Sequence, residues 1–97
     1  MAYYVYLVNF TDQGVRTVKD TTKRADAFRA LAEKLGGKVH TLLWTLDKHD
    51  VVTVVEAPDD AVATALSLSI SERGNVKTQT LRAFDAAEMG KILAKMA

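Results

Sequence analysis

Residues 38–60 read KVHTLLWTLDKHDVVTVVEAPDD, and the way this stretch divides decides the fold. Lys38–Leu46 and Val51–Ala57 are rich in β-branched and apolar residues, the sequence mark of strands. Asp47-Lys48-His49-Asp50 between them is a short polar turn, so the two runs are expected to pair as a hairpin. Pro58 ends the second strand, and Asp59 and Asp60 suit the positive end of a helix dipole. The helix that opens there runs to about Glu72 and is expected to bury Val62, Ala65, Leu66 and Ser69.

Upstream of the hairpin, Tyr3–Phe10 reads as a first strand. Thr11 is a candidate N-cap for a short helix through Val15 and Val18, and Thr21 or Thr22 for a longer one ending at Leu35. In the longer helix Ala25, Phe28, Leu31, Ala32 and Leu35 fall on one face, and Gly36-Gly37 supplies the left-handed ending. Downstream, Gly74-Asn75 turns into a fourth strand, Val76–Phe84. Asp85-Ala86-Ala87-Glu88 is a capping box with Asp at the cap, opening a closing helix expected to bury Met89, Ile92, Leu93 and Met96. The order is β-α-β-β-α-β plus a C-terminal helix. With right-handed crossovers this predicts an α+β, ferredoxin-like fold: a four-stranded antiparallel sheet in the order 4-1-3-2, with both main helices on one face. No linker or repeat interrupts residues 1–97, which read as one domain.

The bulk properties narrow the function classes. A net charge of +1 from 13 basic and 12 acidic residues creates no global field for nucleic acid or anionic lipid. The absence of cysteine excludes disulfides, iron–sulfur clusters, thiolate metal sites and cysteine nucleophiles. Met1-Ala2-Tyr3-Tyr4 does not begin a signal peptide, and no apolar run approaches the ~20 residues that span a bilayer. A cytoplasmic location, with neither membrane nor nucleic acid as partner, is expected.

The first strand departs from the usual pattern. In this fold one sheet face meets the helices and the other should be polar. Here Tyr3, Val5 and Leu7 point one way while Tyr4, Tyr6, Val8 and Phe10 point the other. The hairpin repeats the pattern: with Leu46 opposite Val51, one face holds Leu42, Trp44, Leu46, Val51 and Val55. The other then holds Thr41, Leu43, Thr45, Val52, Val54 and Glu56. A monomer would leave several hundred Å2 of apolar surface bare, a size that marks interaction sites. A second copy of the sheet packed about a two-fold axis covers it most simply, giving a homodimer or higher oligomer. The alternative cover is the closing helix folded back over the same face.

These residues resemble the GYD family, small bacterial domains grouped with the dimeric α/β-barrel proteins. The resemblance is carried by Asn9-Phe10-Thr11-Asp12-Gln13-Gly14, Val18-Lys19-Asp20-Thr21, Leu31-Ala32-Glu33-Lys34-Leu35-Gly36-Gly37 and Trp44-Thr45-Leu46. It continues through Val55-Glu56-Ala57-Pro58-Asp59, Gly74-Asn75-Val76 and Thr78-Gln79-Thr80-Leu81-Arg82-Ala83-Phe84, so that it covers nearly the whole chain. It implies the fold and the oligomer but no general activity and no cofactor. The naming motif is altered: where the family shows Gly-x-Tyr-Asp, this chain has Asp47-Lys48-His49-Asp50, with His49 in place of the tyrosine.

No residue qualifies as catalytic. His49 with Asp50 has the chemistry of a proton-relay pair, but both also belong to an ordinary polar turn. His40 and His49 lie ~30 Å apart along an extended strand, too far for one metal site. Glu56 lies on a half-apolar face near Thr41, where burial would raise its pKa unless a cation such as Arg82 pairs with it. Gln13-Gly14-Val15-Arg16 is similar to part of the acylphosphatase phosphate loop, yet the water-placing asparagine is missing from the hairpin. Arg16, Lys19, Lys23, Arg24 and Arg29 alternate with Asp20 and Asp26, as on a solvated helix. The expectation is therefore an oligomeric small-ligand-binding or accessory protein with a pocket between the sheet and its cover. Tyr4, Tyr6, Trp44, His49, Asp50, Glu56 and Arg82 are the candidate ligand contacts. A cofactor-independent enzyme acting on a small organic substrate is the alternative.

Overall fold

The computed structural model describes all residues from Met1 to Ala97. The elements run β1 (Ala2–Phe10), α1 (Asp12–Arg16), a 3-10 turn (Val18–Asp20), α2 (Thr21–Lys34), β2 (Lys38–Trp44), β3 (Val51–Ala57), α3 (Asp60–Glu72), β4 (Val76–Ala83) and α4 (Ala86–Leu93). The strands form one antiparallel sheet in the order β2-β3-β1-β4. No helix is long and apolar enough to cross a membrane.

β1 and β3 are the inner strands, paired Tyr4 to Val55, Tyr6 to Thr53 and Val8 to Val51. These six side chains are buried, and they face α2 and α3. Tyr6 joins both helices to the sheet. Its ring meets Phe28 of α2 edge to face at 5.8 Å, and its hydroxyl donates to the Ala63 carbonyl of α3 at 2.6 Å. Ala25, Phe28 and Ala32 of α2 are buried, with Leu31 and Leu35 packed partly against them. Gly36, at a φ of 88°, provides the left-handed turn that ends this helix.

Three local expectations need correction. The hairpin closes at Trp44 opposite Val51, not at Leu46, which is 90% exposed. Asp50 is drawn instead to β1: its amide donates to the Val8 carbonyl and its Oδ2 accepts from the Phe10 amide. Thr45–Asp50 then forms the connection, with Asp47 in the left-handed region at a φ of 66°. In α3 the inward residues are Ala63 and Leu66, whereas Ala65 is exposed, because the stripe is set by Ala63 lying under the Tyr6 hydroxyl. The third correction concerns α4. The Asp85 and Glu88 capping box forms, but the helix buries none of its residues. Met89, Ile92, Leu93 and Met96 are 43, 37, 53 and 71% exposed, so α4 does not fold back over the sheet of its own chain. The molecule measures 51 × 30 × 18 Å. Its radius of gyration of 14.5 Å exceeds the ~12.5 Å expected of a compact chain this long.

Candidate functional site: an open sheet face and an apolar cleft

The two faces of the sheet offer different surfaces. Away from the helices, the central strands present Tyr3, Val5 and Leu7 of β1 with Val52, Val54 and Glu56 of β3. Leu43 of β2 and Leu81 of β4 extend this face to the edges and are 60 and 49% exposed. Four strands about 4.8 Å apart and seven residues long make a face of roughly 19 by 23 Å. Its central side chains are left partly exposed, and none joins the buried core. One end holds the only polar cluster built of side chains from three strands. The register shifts between Val39 and Thr41, leaving His40 without a cross-strand partner and placing its ring 5.4 Å from that of Tyr3. His40 Nε2 lies 3.5 Å from Glu56 Oε2. The Tyr3 phenol, and then His40, hold the Glu56 carboxyl below the usual carboxylate value, against the opposing effect of desolvation. The raised pKa expected of Glu56 is thus reversed, and its partners are Tyr3 and His40 instead of Arg82. A shallow depression of about 200 Å3 adjoins this cluster beside Val54, Phe84 and Asp85.

The deeper cavity is on the helix side. It lies between α2 and α3 above β1, β2 and β3, with a volume of about 150 Å3. Its walls are mainly apolar, led by Phe10, Phe28, Leu42 and Trp44. The charged residues on its lining are Arg24 from α2 and Arg73 from the end of α3. Arg24 is held in place: Nη1 donates to the Thr17 carbonyl (3.0 Å) and hydroxyl (2.9 Å), and Nη2 to the Gly14 carbonyl (3.2 Å). Its guanidinium also lies 5.9 Å from the Phe10 ring centroid.

The candidate residues from the sequence are dispersed among these surfaces. Tyr4 and Tyr6 lie under the helices, away from the open face. The Tyr4 hydroxyl donates to Asp60 Oδ1 at 2.5 Å, and burial with this carboxylate pushes its pKa up to about 12. Burial does the same to Tyr6. Trp44 lines the cavity wall and donates from Nε1 to the Thr21 hydroxyl at 3.1 Å. His49 and Asp50 serve different partners. His49 Nδ1 meets Asn9 Oδ1 at 3.1 Å, while Asp50 accepts from the Phe10 amide at 2.8 Å. Together they fasten the hairpin turn to the end of β1. Arg82 lies 5.6 Å from the Tyr4 ring centroid and 4.6 Å from that of Phe84, and pairs with Glu88 at 3.0 Å. It therefore anchors the start of α4. Only Tyr4 and Arg82 come together. No three His, Asp or Glu side chains are grouped so as to hold a metal ion.

Sequence reasoning missed Tyr3, Arg24 and Arg73. For Arg24 a signal was present: it stands one turn before Phe28, on the same helix stripe, which argues against a fully solvated place. Arg73 carried no such signal.

The profile of the GYD domain matches residues 4–93. One relative, the "Glutamine synthetase and cystathionine beta-lyase binding protein" of Thermus thermophilus, is 33% identical over 90 residues. The match covers 92% of this chain and 95% of the relative. With the profile spanning almost all of the sheet and its helices, the chain belongs to the GYD domain family.

Proposed function

We propose that this protein is an accessory protein that self-associates through its open sheet face and, as an assembly, binds a metabolic enzyme. The observation that carries this reading is the uncovered apolar face itself. Tyr3, Val5, Leu7, Val52 and Val54 form a continuous strip across both inner strands, and Leu43 and Leu81 widen it. A two-fold pairing of such faces buries like against like, and it satisfies the apolar surface of both copies at once. α4 supports the same reading. It is capped and tethered by the Arg82–Glu88 pair, yet its apolar stripe touches none of its own core, as suits an arm that closes across a partner chain.

The relative's name supports an enzyme as the further partner, of the kind represented by glutamine synthetase or cystathionine β-lyase. The cleft agrees with binding over catalysis. Its charged groups are two arginines, which supply positive charge and hydrogen-bond donors but no acceptor.

The test combines two edge substitutions with a binding assay. Leu43 and Leu81 are already 60 and 49% exposed in the single chain, so Leu43→Lys and Leu81→Lys spare the core. The double variant is expected to keep its circular dichroism spectrum, become monomeric and lose affinity for purified glutamine synthetase in biolayer interferometry. Unchanged assembly in the folded double variant would contradict the interface. Failure of the unaltered protein to bind either enzyme would contradict the accessory role.

A further inference from the structure

We propose that the cleft between α2 and α3 is a binding site for a small carboxylic acid with a single-ring apolar body. This site lies on the opposite side of the sheet from the self-association face and stands or falls independently of it.

The first ground is the cavity's existence. Small-molecule sites are concave clefts lined mainly by apolar side chains with a few placed polar groups. This chain has only 13 buried residues, yet it leaves about 150 Å3 unfilled beside its central strands. An apolar cavity of about that size accepts benzene. The ligand body is therefore one ring, or an aliphatic group of equal volume.

The second ground is the chemistry of the wall. Aromatic rings reach it from three separate elements: Phe10 from β1, Phe28 from α2 and Trp44 from β2. Such rings favour a flat apolar body in edge-on or offset contact. The lining has two cations and no acid, which selects an anion over a neutral or cationic molecule. Arg24 is also preorganised. Three hydrogen bonds to Thr17 and Gly14 fix its guanidinium before any ligand arrives, which lowers the ordering cost of binding. Arg73 approaches from the other helix, and no hydrogen bond or ion pair within the chain engages its guanidinium. A carboxylate held there would meet donors from both α2 and α3.

Trp44 is the chain's single tryptophan, so its fluorescence reports on the cavity directly. The probes are benzoate and phenylacetate, with benzyl alcohol as the neutral ring and acetate as the bare carboxylate. The full chain is titrated with each, and isothermal titration calorimetry checks the affinities. Benzoate or phenylacetate is expected to give a saturable change in Trp44 emission. The neutral ring should bind roughly tenfold or more weakly, since a charge-assisted contact is lost. Acetate should give no saturable signal at the same concentrations. Arg73→Gln should weaken the acids and leave benzyl alcohol unchanged. Ala27→Leu adds bulk at an exposed position of the rim, so it should block acid and alcohol alike without altering the fold. No saturable change with either acid at millimolar concentrations would overturn the proposal. Equal affinity for benzyl alcohol, or binding unaltered in the folded Ala27→Leu variant, would overturn it as well.

Discussion

Removing a single oxygen atom, by Tyr6→Phe, tests the packing of both helices on the sheet. Tyr6 is fully buried, and its hydroxyl donates to the Ala63 carbonyl at 2.6 Å, while its ring stays against Phe28 in either variant. At neutral pH the loss is that of one buried hydrogen bond, about 1 kcal/mol net. For a chain of this size that lowers Tm by roughly 4–8 °C. At high pH the order reverses. Burial pushes the Tyr6 phenol up to about 12, whereas the unfolded phenol titrates near 10. Above pH 10 the unfolded chain releases this proton and the folded chain keeps it, so Tyr6 favours folding fully below pH 10 and loses that contribution as pH rises toward 12. At pH 11 the loss is about 1.4 kcal/mol, one pH unit's worth. The phenylalanine variant has no such proton to lose. The two stability curves should therefore cross between about pH 10.5 and 11, with the variant more stable above the crossing. Urea denaturation followed by Trp44 fluorescence, at one fixed protein concentration, measures the difference. A variant as stable as the parent at pH 7, or a difference that does not change between pH 9 and pH 11, would refute this account of Tyr6.

Gly14→Ala should cost about 1–3 kcal/mol, because an added Cβ would stand 2.0 Å from the Asn75 carbonyl oxygen, backbone against backbone. The urea midpoint should fall without a change in slope. Asp85→Ala removes the cap of α4 and costs that helix about 1 kcal/mol. Since α4 rests on none of its own core, amide exchange should quicken in residues 86–93 and stay unchanged in the sheet. The Glu56 carboxyl should titrate below its ordinary value of 4.5 by carbon-detected NMR, and Tyr3→Phe should move it back upward. The stability that Glu56 contributes is present above that ordinary value and disappears as pH falls through the lowered one. A Glu56 midpoint unmoved by Tyr3→Phe would contradict the assigned cause.

Much of the chain reads directly from local rules. The α2 stripe and the Asp85 capping box each follow from residue spacing, and each is present in the structure. Local rules fail where the chain is apolar on both sides. β1 carries Tyr4 and Tyr6 on one face and Tyr3, Val5 and Leu7 on the other, so periodicity does not say which face the helices take. The choice is tertiary: the two inward phenols find acceptors on α3, Asp60 and Ala63. Arg24 shows a second limit. Its charge reads as solvated, and only the fold brings the Thr17 and Gly14 carbonyls within its reach. α4 shows a third. Its cap and stripe are local, but whether the stripe is buried is decided by packing, and its own chain leaves it bare.

The central claim is that the open sheet face closes on a second copy. Size-exclusion chromatography with light scattering, run over a dilution series, tests it most directly against the chain mass of 10.6 kDa. The account predicts a mass of at least twice that value, falling to the single-chain mass when Leu43→Lys and Leu81→Lys are combined. A persistent monomer of the unaltered protein at every concentration would contradict it.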